Sequence, residues 1–150
     1  MAYEKLRILI VDDDEGITGS LSILLESEGY QTDVAHSVKE AVEKSYENNY
    51  NLALIDIKLP DGDGTSLLKS LRETSPNTIK IMLTGYPTLG NSVNSLNEGA
   101  DAYLIKPVDL DQLLQKIKSK IEEQKTAEEA TEDSITLFLQ TRTKKLLTEK

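Results

Sequence analysis

Apolar residues in this chain occur in two rhythms that take turns. Short, nearly unbroken apolar runs are Leu6-Arg7-Ile8-Leu9-Ile10-Val11, Leu52-Ala53-Leu54-Ile55, Ile79-Lys80-Ile81-Met82-Leu83 and Ala102-Tyr103-Leu104-Ile105. Runs of this length suit strands buried on both faces of a parallel sheet. Thr32-Asp33-Val34-Ala35 adds a shorter strand between the first two. Between the strands, apolar residues recur at helical spacing. Ile17, Leu21, Leu24 and Leu25 share one face, and Gly29 is a helix stop. Ser37 with Glu40 is a capping box opening a helix with Val38, Ala41, Val42, Ser45 and Tyr46 on one side. Thr65 to Arg72 carries Leu67, Leu68 and Leu71 inward, and Ser75-Pro76-Asn77 breaks it. Leu89 to Glu98 has only Val93 and Leu96 as anchors, so it is expected to be the least firmly held helix. Asp109 and Gln112 cap a last helix carrying Leu110, Leu113, Leu114, Ile117 and Ile121. Strand and helix therefore alternate five times. This predicts an α/β fold, a doubly wound five-stranded parallel sheet with helices on both faces.

The rhythm changes after residue 124. Lys125 to Asp133 is polar and acidic, a linker or a helical extension, and Ile135, Phe138, Leu139, Arg142 and Leu146 then define an amphipathic helix. The expected organisation is one domain over 1–124 and, over 125–150, a linker and an amphipathic tail helix that add a C-terminal helical extension. With 150 residues and 38% hydrophobic content, one core is the expected limit. The chain has no cysteine, so a disulfide framework is excluded. No apolar stretch approaches the roughly 20 residues of a membrane span, and the N-terminus does not read as a signal peptide. A soluble cytoplasmic protein is the expectation. The net charge of −9, with no basic patch in the first 124 residues, argues against nucleic-acid binding.

Candidate chemistry sits where strands end. The first strand runs into Asp12-Asp13-Asp14-Glu15, and the third ends in Asp56, followed by Leu59-Pro60-Asp61-Gly62-Asp63-Gly64, which forces a loop. The fourth ends at Thr84 and the fifth at Lys106-Pro107. Taken singly, each is unremarkable: an acidic pair is ordinarily a solvated turn, and a lysine before proline a surface residue. In a parallel sheet, however, all these ends lie along one edge, where open α/β sheets place their ligands. Three carboxylates offer hard oxygen ligands for magnesium. A hydroxyl and an ammonium remain to hold the oxygens of a transferring phosphoryl group. A carboxylate beside a divalent ion can become an acyl phosphate.

From about Leu6 to Glu123 the chain strongly resembles the response-regulator receiver domain of two-component signalling, a flavodoxin-like fold. The resemblance is carried by Ile10-Val11-Asp12-Asp13-Asp14, Ile55 to Gly64, Met82-Leu83-Thr84-Gly85 and Gly99 to Pro107. It implies that Asp56 is the phosphoacceptor, taking its phosphoryl group from a histidine kinase or histidine phosphotransfer protein. It implies that Asp13 is a direct magnesium ligand, Asp12 its partner acting through water, and the backbone carbonyl of Lys58 a further ligand. Thr84 and Lys106 would bind the phosphoryl oxygens, Lys106-Pro107 would be cis, and Tyr103 would be a switch aromatic that moves inward with Thr84. For Tyr103 a core tyrosine is the alternative to the switch role. Such a domain is not an enzyme, and assists only its own phosphorylation and dephosphorylation. Gly85 stands where the family more often has alanine. Lys58 and Tyr86 flank the site and could obstruct an attacking water, slowing loss of the phosphoryl group.

The rivals fit less well. A phosphohydrolase of the haloacid dehalogenase type needs an aspartate two residues after its nucleophile, where this chain has Lys58. A nucleotide-binding module needs a glycine-rich first turn, where this chain has four acids. A phosphorylation-independent pseudo-receiver ranks low because all five matching residues are present. His36 is expected to be a loop residue. Asp61 to Arg72 lacks the glycine and glutamate of a calcium loop, so calcium is rejected there. The expected reader of activation is the face of the fourth helix, fifth strand and last helix. It would engage a downstream protein or a second copy, with the tail as a further docking element. No DNA-binding output domain fits after Glu123, so direct DNA binding is not expected.

Overall fold

The structure, a computed structural model, describes residues 5–85 and 99–148. The helix expected over Leu89–Glu98, and Tyr86, lie outside the described residues. Five strands, β1 (Arg7–Val11), β2 (Gln31–Ala35), β3 (Leu52–Asp56), β6 (Ile79–Thr84) and β7 (Ala102–Ile105), form one sheet in the order β2-β1-β3-β6-β7. All neighbours are parallel. Two strand residues face opposite sides at each step, and both sides are dry. Leu9, Val11, Ala53, Ile55 and Met82 pack with α2 (Val38–Glu47) and α3 (Gly64–Thr74) through Ala41, Leu67, Leu68 and Leu71. Ile8, Ile10, Leu52, Leu54 and Ile81 alternate with them and are equally buried. On that second face lies α1 (Glu15–Ser27), whose Leu21 and Leu25 are buried.

Helices α1, α2 and α3 each start on a side chain that satisfies orphan backbone donors. Asp14 Oδ1 accepts from Gly16 N and Ile17 N, and Asp63 Oδ1 from Ser66 N. Ser37 Oγ accepts from Glu40 N, while the Glu40 carboxylate reaches back to His36 N. That return bond lands one residue before the N-cap itself. Gly29 closes α1 at φ 97°, a left-handed conformation that favours glycine.

One feature departs from the sequence reading, and one alternative left open there is decided. The segment after Asp56 is not plain loop: Lys58–Leu59 (β4) and Gly62–Asp63 (β5) pair as a small antiparallel hairpin around Pro60-Asp61. No break separates the last helix from the tail, because one helix runs from Leu110 to Thr148. Between residues 110 and 148 there is no proline or glycine to stop it. Its segment from Leu114 onward is a unit by itself. Among the described residues no helix is long and apolar enough to cross a membrane.

The edge of the sheet opposite the strand ends is pinned by a polar cluster. Arg7 reaches Asp33 Oδ2 at 2.9 Å and Asn48 Oδ1 at 3.0 Å, with its guanidinium 5.6 Å from the Tyr50 ring centre. Tyr50 Oη donates to the same Asp33 oxygen at 2.7 Å. Burial first, then the bond to Asp33, holds the Tyr50 phenol above its ordinary value of 10.0. Its folded value exceeds its unfolded one, so its contribution is complete below pH 10.0 and lost as pH rises through the folded value. Tyr50→Phe is expected to lower stability by about 1–2 kcal/mol at neutral pH. Urea midpoints of the two proteins should converge only above about pH 10.

Candidate metal and phosphoryl site

The run Asp12-Asp13-Asp14-Glu15 separates into different tasks once folded. Asp12, 3% exposed, points back over the end of β1. Its Oδ1 accepts from Asp14 N at 3.0 Å, which fixes its rotamer. Asp13 is exposed beside it, Asp14 caps α1, and Glu15 lies in the first turn, where negative charge suits the helix dipole. Asp56 ends β3 next to β1, because Val11 pairs with Ile55. One carboxylate oxygen from each of Asp12, Asp13 and Asp56 lies within 4.8 Å of the others. Three anionic oxygens so placed repel one another unless a cation sits among them, and the set is all-oxygen and hard. It fits a divalent ion such as magnesium, which takes few protein ligands.

A protein cation already serves two of the three. Lys106 Nζ lies 2.6 Å from Asp12 Oδ2 and 3.4 Å from Asp56 Oδ2. Its backbone is anchored beside β6, where Lys106 N donates to Thr84 O at 2.6 Å, and the Lys106-Pro107 bond is cis. Burial pushes its ammonium down, but the hydrogen bond and charge of Asp12, followed by Asp56, outweigh this and raise it. Burial also raises the Asp56 carboxyl, and the charge of Asp12 adds to that, with Lys106 and Lys58 N pulling the other way. The Asp56 carboxylate is thus a destabilised anion in the folded protein.

Thr84, 1% exposed, ends β6 alongside Ile105. Lys58 is exposed, and its N–H donates to Asp56 Oδ1 at 3.3 Å. Tyr103 packs against the core shared with α2 and α3, and its hydroxyl is buried with no hydrogen-bond partner among the described residues. His36 lies after β2 outside the carboxylate cluster, as a loop residue.

Two contributors were not legible in the sequence. Gly64 begins α3 directly beneath Asp56, and a Cβ there would lie 2.5 Å from the Asp56 carbonyl oxygen and 2.7 Å from Met82 Cε. Its N–H donates to Ile57 O at 2.6 Å. Asp61 is the second: its carboxylate accepts from Val38 N at 2.8 Å and Lys39 N at 3.0 Å, tying the hairpin after Asp56 to α2. Asp61 and Asp63 are both committed to helix N-termini.

Residues 8–118 match the response regulator receiver domain family. The chain is 36% identical over 126 residues to the uncharacterized transcriptional regulatory protein YkoG of Bacillus subtilis, covering 84% of this chain and 55% of that protein. It spans about half the length of the curated relatives it matches first. Among solved structures it is similar to a CheY-like receiver domain protein from Methanospirillum hungatei, with TM-score 0.80 and 50% identity over 82% of this chain and 98% of that one. It is also similar to a response regulator from Burkholderia pseudomallei solved with a phosphorylated aspartic acid and a calcium ion. That match has TM-score 0.73 and 31% identity, over 85% of this chain and 75% of that one. The expectation that this chain does not bind DNA gains no support here, since those curated relatives are named as transcriptional regulatory proteins. The strand-end carboxylates, their lysine and the sheet order thus belong to a member of the response regulator receiver domain family of two-component signalling.

Proposed function

We propose that this chain accepts a phosphoryl group on Asp56 from a histidine kinase or histidine phosphotransfer protein, and passes on the signal as a change of surface rather than as catalysis on a substrate. The observation that carries the reading is Lys106 Nζ lying against both Asp12 and Asp56 inside a three-carboxylate cluster. An Asp56 oxygen attacks phosphorus, the bond from phosphorus to the donor nitrogen breaks, and the imidazole leaves with its electron pair and takes up a proton. Asp12, Asp13, Asp56 and the Lys58 carbonyl would hold magnesium, which supplies charge neutralisation on the phosphoryl oxygens. Lys106 exchanges its carboxylate partners for a phosphoryl oxygen, and Thr84 donates to another. Movement of Thr84 draws Tyr103 with it. The change is read near the exposed Ile105 and Leu110, by a downstream protein or a second copy. A groove of about 720 Å³ borders Lys106, lined by Ile17, Ser20, Leu21, Pro107 and Val108 among others, and offers the donor a seat beside the acceptor.

The test is intact mass after incubation with magnesium and a small-molecule phosphodonor. One added phosphoryl group is expected, absent in Asp56→Asn and absent with chelator. No gain in a folded wild type would overturn the reading and leave a phosphorylation-independent binding module. Once loaded, the wild type should outlast Lys58→Ala, whose shortened side chain opens the approach of water to Asp56. A several-fold faster loss of the added mass from the variant is the expected outcome, and equal lifetimes would remove the role given to Lys58.

A further inference from the structure

Among the described residues, the C-terminal helix carries several large apolar side chains that are more than half exposed. Ile135, Phe138 and Leu139 are 54%, 62% and 57% exposed. At 100° per residue they share one stripe with Glu128 and Glu132 before them and Arg142 after them. The Arg142 guanidinium lies 5.9 Å from the Phe138 ring centre, so the stripe continues onto the arginine. From residue 128 to residue 145 the charge along this helix is sorted. Glu128, Glu129, Glu132 and Asp133 precede the apolar residues, and Arg142 and Lys144 follow them. The point midway between the two charged blocks is residue 137, and the apolar residues are centred there.

That coincidence is what a self-complementary antiparallel pair requires. In a two-fold interface residue i meets residue j and j meets i, so the axis must pass midway between groups that attract each other. We propose that the C-terminal helix pairs antiparallel with the same helix of a second copy, with the axis near residue 137. Ile135 then meets Leu139 of the second copy, and Glu132 meets its Arg142, each contact made twice. A parallel pair would set Glu128, Glu132 and Arg142 each against its own twin, and like charges directly opposed are unfavourable. The pairing uses no residue of the phosphoryl site, so it forms without phosphorylation and stands or falls separately from the role given to Asp56.

The test is sedimentation equilibrium of the full chain without phosphodonor, at about 50 mM and about 500 mM salt. A dimer is expected that weakens at high salt. Ile135→Asp and Phe138→Asp should give monomers with unchanged helix content, because both sites are exposed in the chain itself. Glu132→Arg alone and Arg142→Glu alone should each weaken the dimer about tenfold or more, and the double exchange Glu132→Arg/Arg142→Glu should restore it. In a parallel pair the double exchange restores nothing, because each new charge again meets its twin. A wild type that is monomeric at about 100 µM, a dimer indifferent to Ile135→Asp, or a double exchange that fails to restore would each overturn the proposal.

Discussion

Gly64→Ala is expected to destabilise the protein by about 3 kcal/mol, far more than any other glycine-to-alanine change in the described residues. The added methyl would sit 2.5 Å from the Asp56 carbonyl oxygen, 2.7 Å from Met82 Cε and 3.1 Å from Ile55 Cγ2. The methionine end can move aside. The carbonyl cannot, because it belongs to a central strand paired on both sides. Overpacking against fixed neighbours costs about 1–3 kcal/mol and occasionally more. Two glycines provide the contrast. At Gly19, in the interior of α1, an added Cβ meets nothing within 4 Å, so Gly19→Ala should stabilise by about 1 kcal/mol through helix propensity. At Gly62 the nearest atoms are at 3.4 Å and 3.5 Å, so alanine should be tolerated. Urea midpoints measured side by side should order as Gly19→Ala, wild type, Gly62→Ala, Gly64→Ala, with the last well separated. Because the added methyl presses on the carbonyl of Asp56, the proposed acceptor, the same variant should also gain phosphoryl mass more slowly. A Gly64→Ala protein of wild-type stability would mean that α3 retreats from β3 without cost.

Lys106→Met should cost about 3 kcal/mol at neutral pH, and divalent cation should restore most of it. The ammonium lies against Asp12 and Asp56, whose side chains are only 4% and 13% exposed. Removing one member of a buried charge set leaves the others uncompensated, at about 3–5 kcal/mol. A fitted cation replaces the lost charge, so magnesium should raise the variant's midpoint more than the wild type's. The pH dependence has a definite sign. Burial and then the Asp12 charge already raise the Asp56 carboxyl, and Lys106 is one of the groups pulling it down. A carboxyl whose folded value exceeds its unfolded 3.8 adds stability only when protonated, and that stability is lost as pH rises through the folded value. Without Lys106 the folded value climbs further, so the variant's deficit should be greatest at neutral pH and shrink on acidification towards the Asp56 folded value. Urea midpoints at pH 7.5 and at about pH 5, with and without magnesium, check both parts. A deficit independent of pH and metal would mean that the methionine simply packs badly.

Much of this architecture could be read from the chain because its determinants are local. Five apolar runs, with helical periodicities and caps between them, allow few arrangements other than a parallel sheet wrapped on both faces. Once the strands are parallel, Asp12, Asp13, Asp56, Thr84 and Lys106 must gather along one edge. The inference needs only strand direction, not coordinates. The helix caps at Ser37 and Asp109 followed for the same reason: a side chain bonds to backbone two or three residues away.

Other features depend on partners distant in sequence. Gly64 was visible only as a loop former; that its missing Cβ makes room for the Asp56 carbonyl is a fact of α3 lying against β3. Asp61 looked like one more acid in an acid-rich loop, yet it caps a helix that begins 23 residues earlier. The Arg7–Asp33–Tyr50 cluster joins β1, β2 and the loop before β3, and none of its members stands out alone.

The sequence by itself determined the sheet, its strand direction and the set of residues at its edge, because alternation and periodicity report burial, and burial orders the elements. Only the tertiary structure decided how each acid is used and how close the pieces come: which carboxylate holds Lys106, which caps a helix and where no Cβ can fit. The physical reason is range. Hydrophobic patterning acts through each residue's own burial, whereas ion pairs, steric limits and capping across elements are properties of pairs brought together by the fold.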